Sequence, residues 1–169
     1  MCKEGLKITG VPSAQELRSR PGYPTREEFE KGPTVVIECL EEIPCNPCET
    51  ACPKHAICVG SPITNLPMID YETCVHCGLC ISACPGLAIY IKDLTYSKTE
   101  ASISFPFEYY PLPEVGSTVE MVDRKGQVCC TGTILKVANP AVNKRTAVVT
   151  AAYDKAFFDE VVNMKRLTD

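Results

Sequence analysis

Residues 74–85 read Cys-Val-His-Cys-Gly-Leu-Cys-Ile-Ser-Ala-Cys-Pro, so cysteines stand at positions 74, 77, 80 and 84. The spacing C-x2-C-x2-C-x3-C-P is typical of chains that hold [4Fe–4S] clusters through cysteine thiolates. In such runs the first three cysteines bind one cluster, whereas the fourth, which precedes a proline, binds a second cluster. One run therefore predicts another run elsewhere in the chain.

The second run lies 32 residues upstream of the first. Positions 77, 80, 84 and 85 correspond there to Cys45, Cys48, Cys52 and Pro53. The similarity extends past the cysteines, because both halves end in Cys-Pro-x-x-Ala-Ile, at residues 52–57 and 84–89. Gly78 corresponds to Asn46, and Gly and Asn adopt a positive φ more readily than other residues. The sequence therefore predicts an internal repeat of backbone geometry as well as of ligands.

One position of the repeat fails. Glu42 stands where a counterpart of Cys74 is expected, and a carboxylate is a poor replacement for a thiolate on an iron–sulfur cluster. The missing thiolate must come from Cys39 or from Cys58. We favour Cys39, because it follows a β-branched run at 35–37 much as Cys74 follows another predicted strand.

These comparisons predict two ligand sets and no catalytic residues. The predicted ligands of the first cluster, cluster A, are Cys39, Cys45, Cys48 and Cys84. The predicted ligands of the second, cluster B, are Cys74, Cys77, Cys80 and Cys52. Structural zinc also uses C-x2-C pairs, but zinc takes four ligands per ion and does not require the repeated C-x3-C-P element. The sequence contains no P-loop, dinucleotide fingerprint, nucleophile elbow or metalloprotease motif.

The remaining cysteines have simpler interpretations. Cys58 is the counterpart of Tyr90 in the repeat, which predicts an equivalent place on a strand leading away from the cluster. Cys129 and Cys130 lie in a predicted strand, where core packing is the expected role of at least one of them. Cys2, close to the first residue, is expected to be incidental.

Composition narrows the classes of function. The chain has 169 residues, 45% of them hydrophobic, and a net charge of −4 from 17 basic and 21 acidic side chains without a basic stripe. Protein or small-molecule partners are therefore expected rather than nucleic acid or a membrane. Because no apolar stretch approaches the ~18 residues of a membrane span and no export signal is visible, a cytoplasmic location is predicted. Twelve cysteines in that compartment indicate metal ligation rather than disulfides.

The sequence predicts an α+β fold in four segments. Residues 1–32, rich in Pro, Gly and charge, are expected to form an extended arm with at most one short helical turn. Residues 33–97 are the predicted ferredoxin-like domain for two clusters. Residues 98–113 are the predicted linker, because it ends in Tyr-Pro-Leu-Pro.

Residues 114–169 are predicted to form a small antiparallel β module. Its hairpin comprises residues 118–122 and 128–137 around a turn at 124–126, and another strand follows at 146–152. Asp154 is expected to cap a C-terminal helix that docks its apolar side on these strands.

By its ligand runs, the segment 34–93 resembles the two-cluster bacterial ferredoxins. The resemblance implies a compact fold of β-hairpins and short helices, two [4Fe–4S] clusters, and transfer of single electrons. The chain departs from that family in the Cys39/Glu42 spacing, the extra Cys58, the N-terminal arm and the C-terminal module. These departures argue against a minimal free ferredoxin.

The run at 38–53 is similar to ferredoxin-type subunits of flavin-dependent amine and imino-acid dehydrogenases. These include multi-subunit proline or hydroxyproline dehydrogenases, opine oxidases and hydrogen cyanide synthase. The resemblance implies partner subunits that carry FAD or FMN and that exchange electrons with NAD, in anaerobic metabolism. A free diffusible ferredoxin and an iron–sulfur sensor or scaffold are the alternatives.

Overall fold

The computed structural model describes residues 5–143 and 145–167 of the chain. The helices are short: α1 (Leu6–Thr9), α2 (Ala14–Arg18), α3 (Arg26–Lys31), α4 (Pro47–Thr50) and α5 (Leu79–Ala83). The strands are β1 (Thr34–Ile37), β2 (Ile57–Cys58), β3 (Met68–Ile69), β4 (Ile89–Asp93), β5 (Glu100–Phe107), β6 (Thr118–Val122), β7 (Val128–Ala138), β8 (Ala147–Asp154) and β9 (Asn163–Met164). No helix within these ranges is long and apolar enough to cross a membrane.

One seven-stranded antiparallel sheet runs through the molecule, in the order β1-β4-β5-β8-β7-β6-β9. Strands β2 and β3 form a separate two-stranded ribbon, with Ile57 opposite Ile69. In the sheet, β1 pairs with β4, and Val36 lies opposite Tyr90. This mostly antiparallel arrangement with few helices confirms the coarse α+β prediction.

The predicted linker contains a strand. β5 occupies residues 100–107 and pairs along its whole length with β8, from Glu100 opposite Asp154 to Phe107 opposite Ala147. Ala101, Ile103 and Phe105 alternate with polar residues and are fully buried, which is the period of a half-buried strand. The sheet therefore includes strands from both sides of the predicted linker.

The C-terminal module agrees with its prediction in its strands and differs at its end. β6, β7 and β8 lie where the hairpin and the following strand are predicted, and Gly126 turns the hairpin with a φ of 74°. Asp154 does accept a hydrogen bond from the Ala156 N–H (2.8 Å), but it caps only one 3₁₀ turn, Lys155–Phe157. The predicted helix is wrong: after this turn the Val162 N–H donates to Val122 O (3.0 Å), and the chain returns as β9 beside β6.

The predicted extended arm is also wrong over its described part, residues 5–32, which forms three short helices. Ser13 caps α2 and Thr25 caps α3, each accepting a hydrogen bond from a backbone N–H of its helix. The Phe29 side chain is buried in the main core, and its ring lies 4.9 Å from that of Phe158 in an edge-to-face contact. Cys2 lies outside the described residues.

Candidate metal centre

The structure reproduces the 32-residue repeat as a set of equivalent backbone hydrogen bonds. Glu38 N donates to Ala88 O, and Asp70 N, 32 residues later, donates to Ala56 O; both distances are 2.8 Å. The two cysteines that precede the prolines accept equivalent hydrogen bonds. Ala56 N donates to the Cys52 Sγ (3.2 Å), and Ala88 N donates to the Cys84 Sγ (3.4 Å).

A residue with a positive φ follows the C-x3-C-P element in each half. His55 and Leu87 are 32 residues apart and both have a φ of 52°. The N–H of His55 donates to Cys52 O and that of Leu87 donates to Cys84 O, each at 3.1 Å. A left-handed leucine is uncommon and costs about 1–2 kcal/mol, so the surrounding fold imposes this turn. Neither residue type indicates a positive φ, and only their equivalent places in the repeat connect them.

The two inner ligand loops are less alike than predicted. Gly78, before α5, has a φ of 78°, as expected. Asn46, its counterpart before α4, has a φ of −144°, so the prediction of a shared positive φ is wrong. Pro47 follows Asn46, and the clash with a proline ring favours a φ of about −120° in the residue before it.

The predicted ligands of cluster A lie near one another. This set, called group A, comprises Cys39, Cys45, Cys48 and Cys84. Burial, followed by the charge of Cys84, raises the pKa of the Cys48 thiol to about 11, and Cys45 and Cys39 add to the effect. Burial and the proximity of Cys84 and Cys45 likewise raise the pKa of Cys39. Cys39, Cys45 and Cys84 therefore lie close enough to Cys48 to disfavour ionisation of its thiol.

The predicted ligands of cluster B form a second, separate set, called group B, of Cys52, Cys74, Cys77 and Cys80. All four line one cavity, together with the apolar side chains of Val35 and Ile57. Burial raises the pKa of Cys80 to about 12, and Cys74, Cys77 and Cys52 contribute in the same direction.

Cys52 differs from the other thiols in its surroundings. Burial by itself raises its pKa, but hydrogen bonds from the backbone N–H groups of Ile57, Lys54, Ala56 and His55 outweigh burial and lower it. N–H groups directed at a sulfur are the usual environment of a cluster ligand.

The donor chemistry of both groups fits an iron–sulfur cluster. Each group contains one buried thiol, Cys48 or Cys80, whose pKa is raised by burial and by the neighbouring cysteines. Such a thiol requires a cationic centre before it can be a thiolate beside the others, and iron would supply it. Within the described ranges, no three His, Cys, Asp or Glu side chains converge closely enough to hold a single metal ion. The thiolates of a cubane each bind a different iron and do not converge on one point.

A buried apolar layer surrounds the thiols. Its members come from β1, β2, α5 and β4 and the residue after β2: Val35, Ile37, Ile57, Val59, Ile81 and Ile89. The Ala-Ile pairs of the repeat contribute Ile57 and Ile89 to it, and Ala56 is also buried. Low polarity around a cluster is one of the means by which a protein sets its potential.

Cys58 lies apart from this layer, on the exposed side of β2 opposite Met68. It thus occupies the strand position equivalent to Tyr90 on β4, as the repeat predicts. Cys129 and Cys130 are half-buried on β7 against the main core, far along the chain from both groups.

A buried ion pair, not predicted from the sequence, lies beside group A. Glu38, the residue before Cys39, accepts two hydrogen bonds from Arg124, and both side chains are largely buried. The two residues are 86 positions apart, so no local pattern could have indicated the pair.

Comparison with known proteins supports the cluster assignment. Residues 67–90 match the model of the 4Fe-4S binding domain. An uncharacterized ferredoxin of Methanocaldococcus jannaschii is 45% identical over 47 residues, which are 28% of this chain and 29% of that protein.

Two other relatives are named as subunits of oxidoreductases. The polyferredoxin-like subunit of an aliphatic sulfonate oxidoreductase from Pyrococcus furiosus is 37% identical over 54 residues (32% of this chain, 28% of the relative). NADH-quinone oxidoreductase subunit I of Pelobacter propionicus is 39% identical over 69 residues (35% and 36%). The matches thus span about a third of each relative, and no solved structure matches the chain. From the two thiol groups and the match of residues 67–90 we conclude that the chain contains a 4Fe-4S binding domain of the ferredoxin type.

Proposed function

We propose that this chain is a cytoplasmic electron-relay subunit of a flavin-dependent oxidoreductase, an amino- or imino-acid dehydrogenase. Group A holds one [4Fe–4S] cluster and group B holds a second. The chain carries out no catalysis itself, and FAD or FMN and NAD are bound by partner subunits. Single electrons pass between the two clusters and on to the flavins.

The observation that carries the proposal of two clusters is the repeated hydrogen-bond framework around two separate sets of four thiols. Each half directs a backbone N–H at the sulfur of its C-x3-C-P cysteine, and each half carries the same left-handed residue after it. Such duplication of backbone geometry is expected where two equivalent inorganic clusters are enclosed.

The surface position of some ligands suits electron exchange with a partner. Cys77 of group B is exposed and Cys45 of group A is half-buried, so a partner can approach both clusters. The exposed apolar side chains of Val75 and Ile43 lie within two residues of these cysteines. A short distance from partner to cluster is what outer-sphere transfer requires.

The ligand assignment is tested by two alanine variants prepared without oxygen. Cys39→Ala should remove one thiolate from cluster A, converting it to a three-iron form or losing it. Cys58→Ala should retain about eight irons per chain, because its exposed thiol ligates neither cluster. Iron analysis and EPR spectra of the reduced and oxidised proteins measure both outcomes.

Cys58→Ala also serves as the matched control, since it removes a thiol from the same domain. An intact cluster A in Cys39→Ala, together with loss of a cluster in Cys58→Ala, would reverse the assignment. A wild-type protein that binds zinc and no iron under these conditions would contradict the whole proposal.

The partner proposal rests on the similarity of residues 38–53 to dehydrogenase subunits and on the relatives named as oxidoreductase subunits. It predicts that the native protein, isolated without oxygen, co-purifies with subunits that contain flavin. Adding amino or imino acids to that complex should reduce the clusters within its turnover time. A protein that purifies alone in quantity would instead favour the second candidate, a diffusible ferredoxin, which the likeness to a ferredoxin of M. jannaschii supports.

A further inference from the structure

Arg124 lies in the turn between β6 and β7, and its side chain reaches back to the end of β1. Its Nε donates to Glu38 Oε2 at 2.9 Å, and its Nη2 donates to Glu38 Oε1. Only 15% of the Arg124 side chain and 7% of the Glu38 side chain are exposed. The pair therefore differs from the other ion pairs described, which have at least one exposed member.

The repeat shows why Glu38 requires a distant partner. Its counterpart, Asp70, is exposed and accepts hydrogen bonds from its own loop, from Glu72 N (3.0 Å) and Thr73 Oγ1. In the first half the cysteine follows Glu38 directly, and the carboxylate is bonded by Arg124 of a different hairpin.

Arg124 holds a third segment as well. Its Nη1 donates to Asp159 O (2.8 Å), and Lys92 Nζ donates to the preceding carbonyl, Phe158 O (2.8 Å). A cavity of about 560 Å³ brings Arg124 together with Cys39 and with Gly86, Leu87 and Ala88, which follow Cys84. Arg124 thus lines the same cavity as two of the chain segments that carry group A.

The charges at this place have opposite effects on a cluster. An uncompensated carboxylate next to a ligand disfavours the additional electron of the reduced cluster, whereas a cation favours it. Burial alone lowers the pKa of Arg124, but the hydrogen bonds and the charge of Glu38 outweigh burial and raise it. The guanidinium therefore remains charged throughout the range in which the protein works.

We propose that Arg124 is a positioning residue for cluster A, which fixes the chain at Cys39 through Glu38 and neutralises that carboxylate, and so sets the reduction potential of this one cluster. The inference rests on the proposed function, because it requires Cys39 to ligate cluster A. Its distinctive consequence is that the two members of the pair act on the potential in opposite directions.

The test is a redox titration followed by EPR on the full chain, prepared without oxygen, with iron counted in every sample. Arg124→Gln leaves the carboxylate unpaired and should lower one potential, by about a tenfold change in the reduction equilibrium, or ~59 mV for one electron. Glu38→Gln leaves the cation unpaired and should raise the potential of the same cluster. The double variant should return it towards the wild-type value, and the other cluster should not change.

Lys125→Gln is the matched control, because Lys125 is the exposed neighbour of Arg124. This variant should leave both potentials unchanged.

A purely structural role would give the two single variants the same loss of stability and no shifts of opposite sign. If the wild type holds two clusters but neither single variant shifts a potential, the inference is wrong and the proposed function stands. If the wild type does not hold two clusters, both are wrong. Should Arg124→Gln fail to fold, the reduction potential of Glu38→Gln tests the inference alone. A Glu38→Gln variant without a raised potential would overturn it.

Discussion

At the scale of single residues, Lys92 is a buried ionisable side chain that belongs to neither thiol group. Its side chain is 1% exposed, its Nζ donates to Phe158 O, and it lies 5.3 Å from the centroid of the Phe158 ring. Burial, with a contribution from the charge of Arg124, lowers the pKa of Lys92 to about 7. The carboxylates of Glu38, Asp159 and Glu160 act in the opposite direction but do not compensate for burial.

This lowered pKa predicts a pH dependence of stability. Between the native pKa of about 7 and the ordinary value of 10.5, the unfolded chain binds a proton on Lys92 that the native protein does not. The free energy of unfolding should therefore rise with pH in this window, by at most ~1.4 kcal/mol per pH unit from this group. Below about pH 7 Lys92 carries its proton in both the native and the unfolded state, so this group no longer makes the free energy of unfolding depend on pH.

Lys92→Met removes the titrating group and fills the same space. Thermal unfolding without oxygen, followed from pH 6.5 to pH 9, should show the wild type gaining stability relative to the variant as the pH rises. Parallel curves for the two proteins would show that Lys92 keeps its proton in the folded state.

At the scale of elements, the close packing of β7 between β6 and β8 depends on Gly132. A Cβ built there would lie 2.8 Å from Ala152 O and 2.9 Å from the Met121 side chain, and Met121 is fully buried. Gly132→Ala should therefore destabilise the protein by roughly 1–3 kcal/mol through overpacking. Thermal unfolding measures the loss, and Thr133→Ala, at an exposed position of the same strand, is the control that should change little.

The elements also show what the sequence could and could not predict. The repeated C-x3-C-P spacing predicts which cysteines from the two halves lie near one another, and local alternation and turn residues predict β6, β7 and β8. The positive φ predicted for Asn46 is wrong because Pro47, the next residue, favours a negative φ there. The Arg124–Glu38 pair and the pairing of β5 with β8 join residues far apart in the chain, which only the tertiary structure brings together.

At the scale of the whole molecule, the ferredoxin domain and the C-terminal strands share one core. Phe29 and Val36 of the first part pack in the same apolar cluster as Val149 and Phe158 of the last. The segments predicted from the sequence should therefore not separate cleanly.

A chain ending at residue 113 tests this expectation. It lacks β8, so Ile103, Phe105 and Phe107 lose their cover and the fragment should be insoluble or lose its clusters. Size-exclusion chromatography measures solubility, and iron analysis measures cluster content. Co-expression of residues 114–169 should restore both properties. A monodisperse fragment with about eight irons per chain would show that the ferredoxin domain folds alone.

The two edges of the sheet have a consequence for the behaviour of the protein at high concentration. β1 has only four residues, all of them buried, and its Ile37 N–H donates to Gly22 O (2.9 Å). A Cβ at residue 22 would lie 2.8 Å from the Cβ of Ile37, so only a glycine can lie this close to β1. β9, at the other edge, has two residues. Long open edges recruit strands from neighbouring molecules and start aggregation, whereas short or covered ones do not. The seven-stranded sheet thus leaves little backbone open to a strand of a neighbouring molecule.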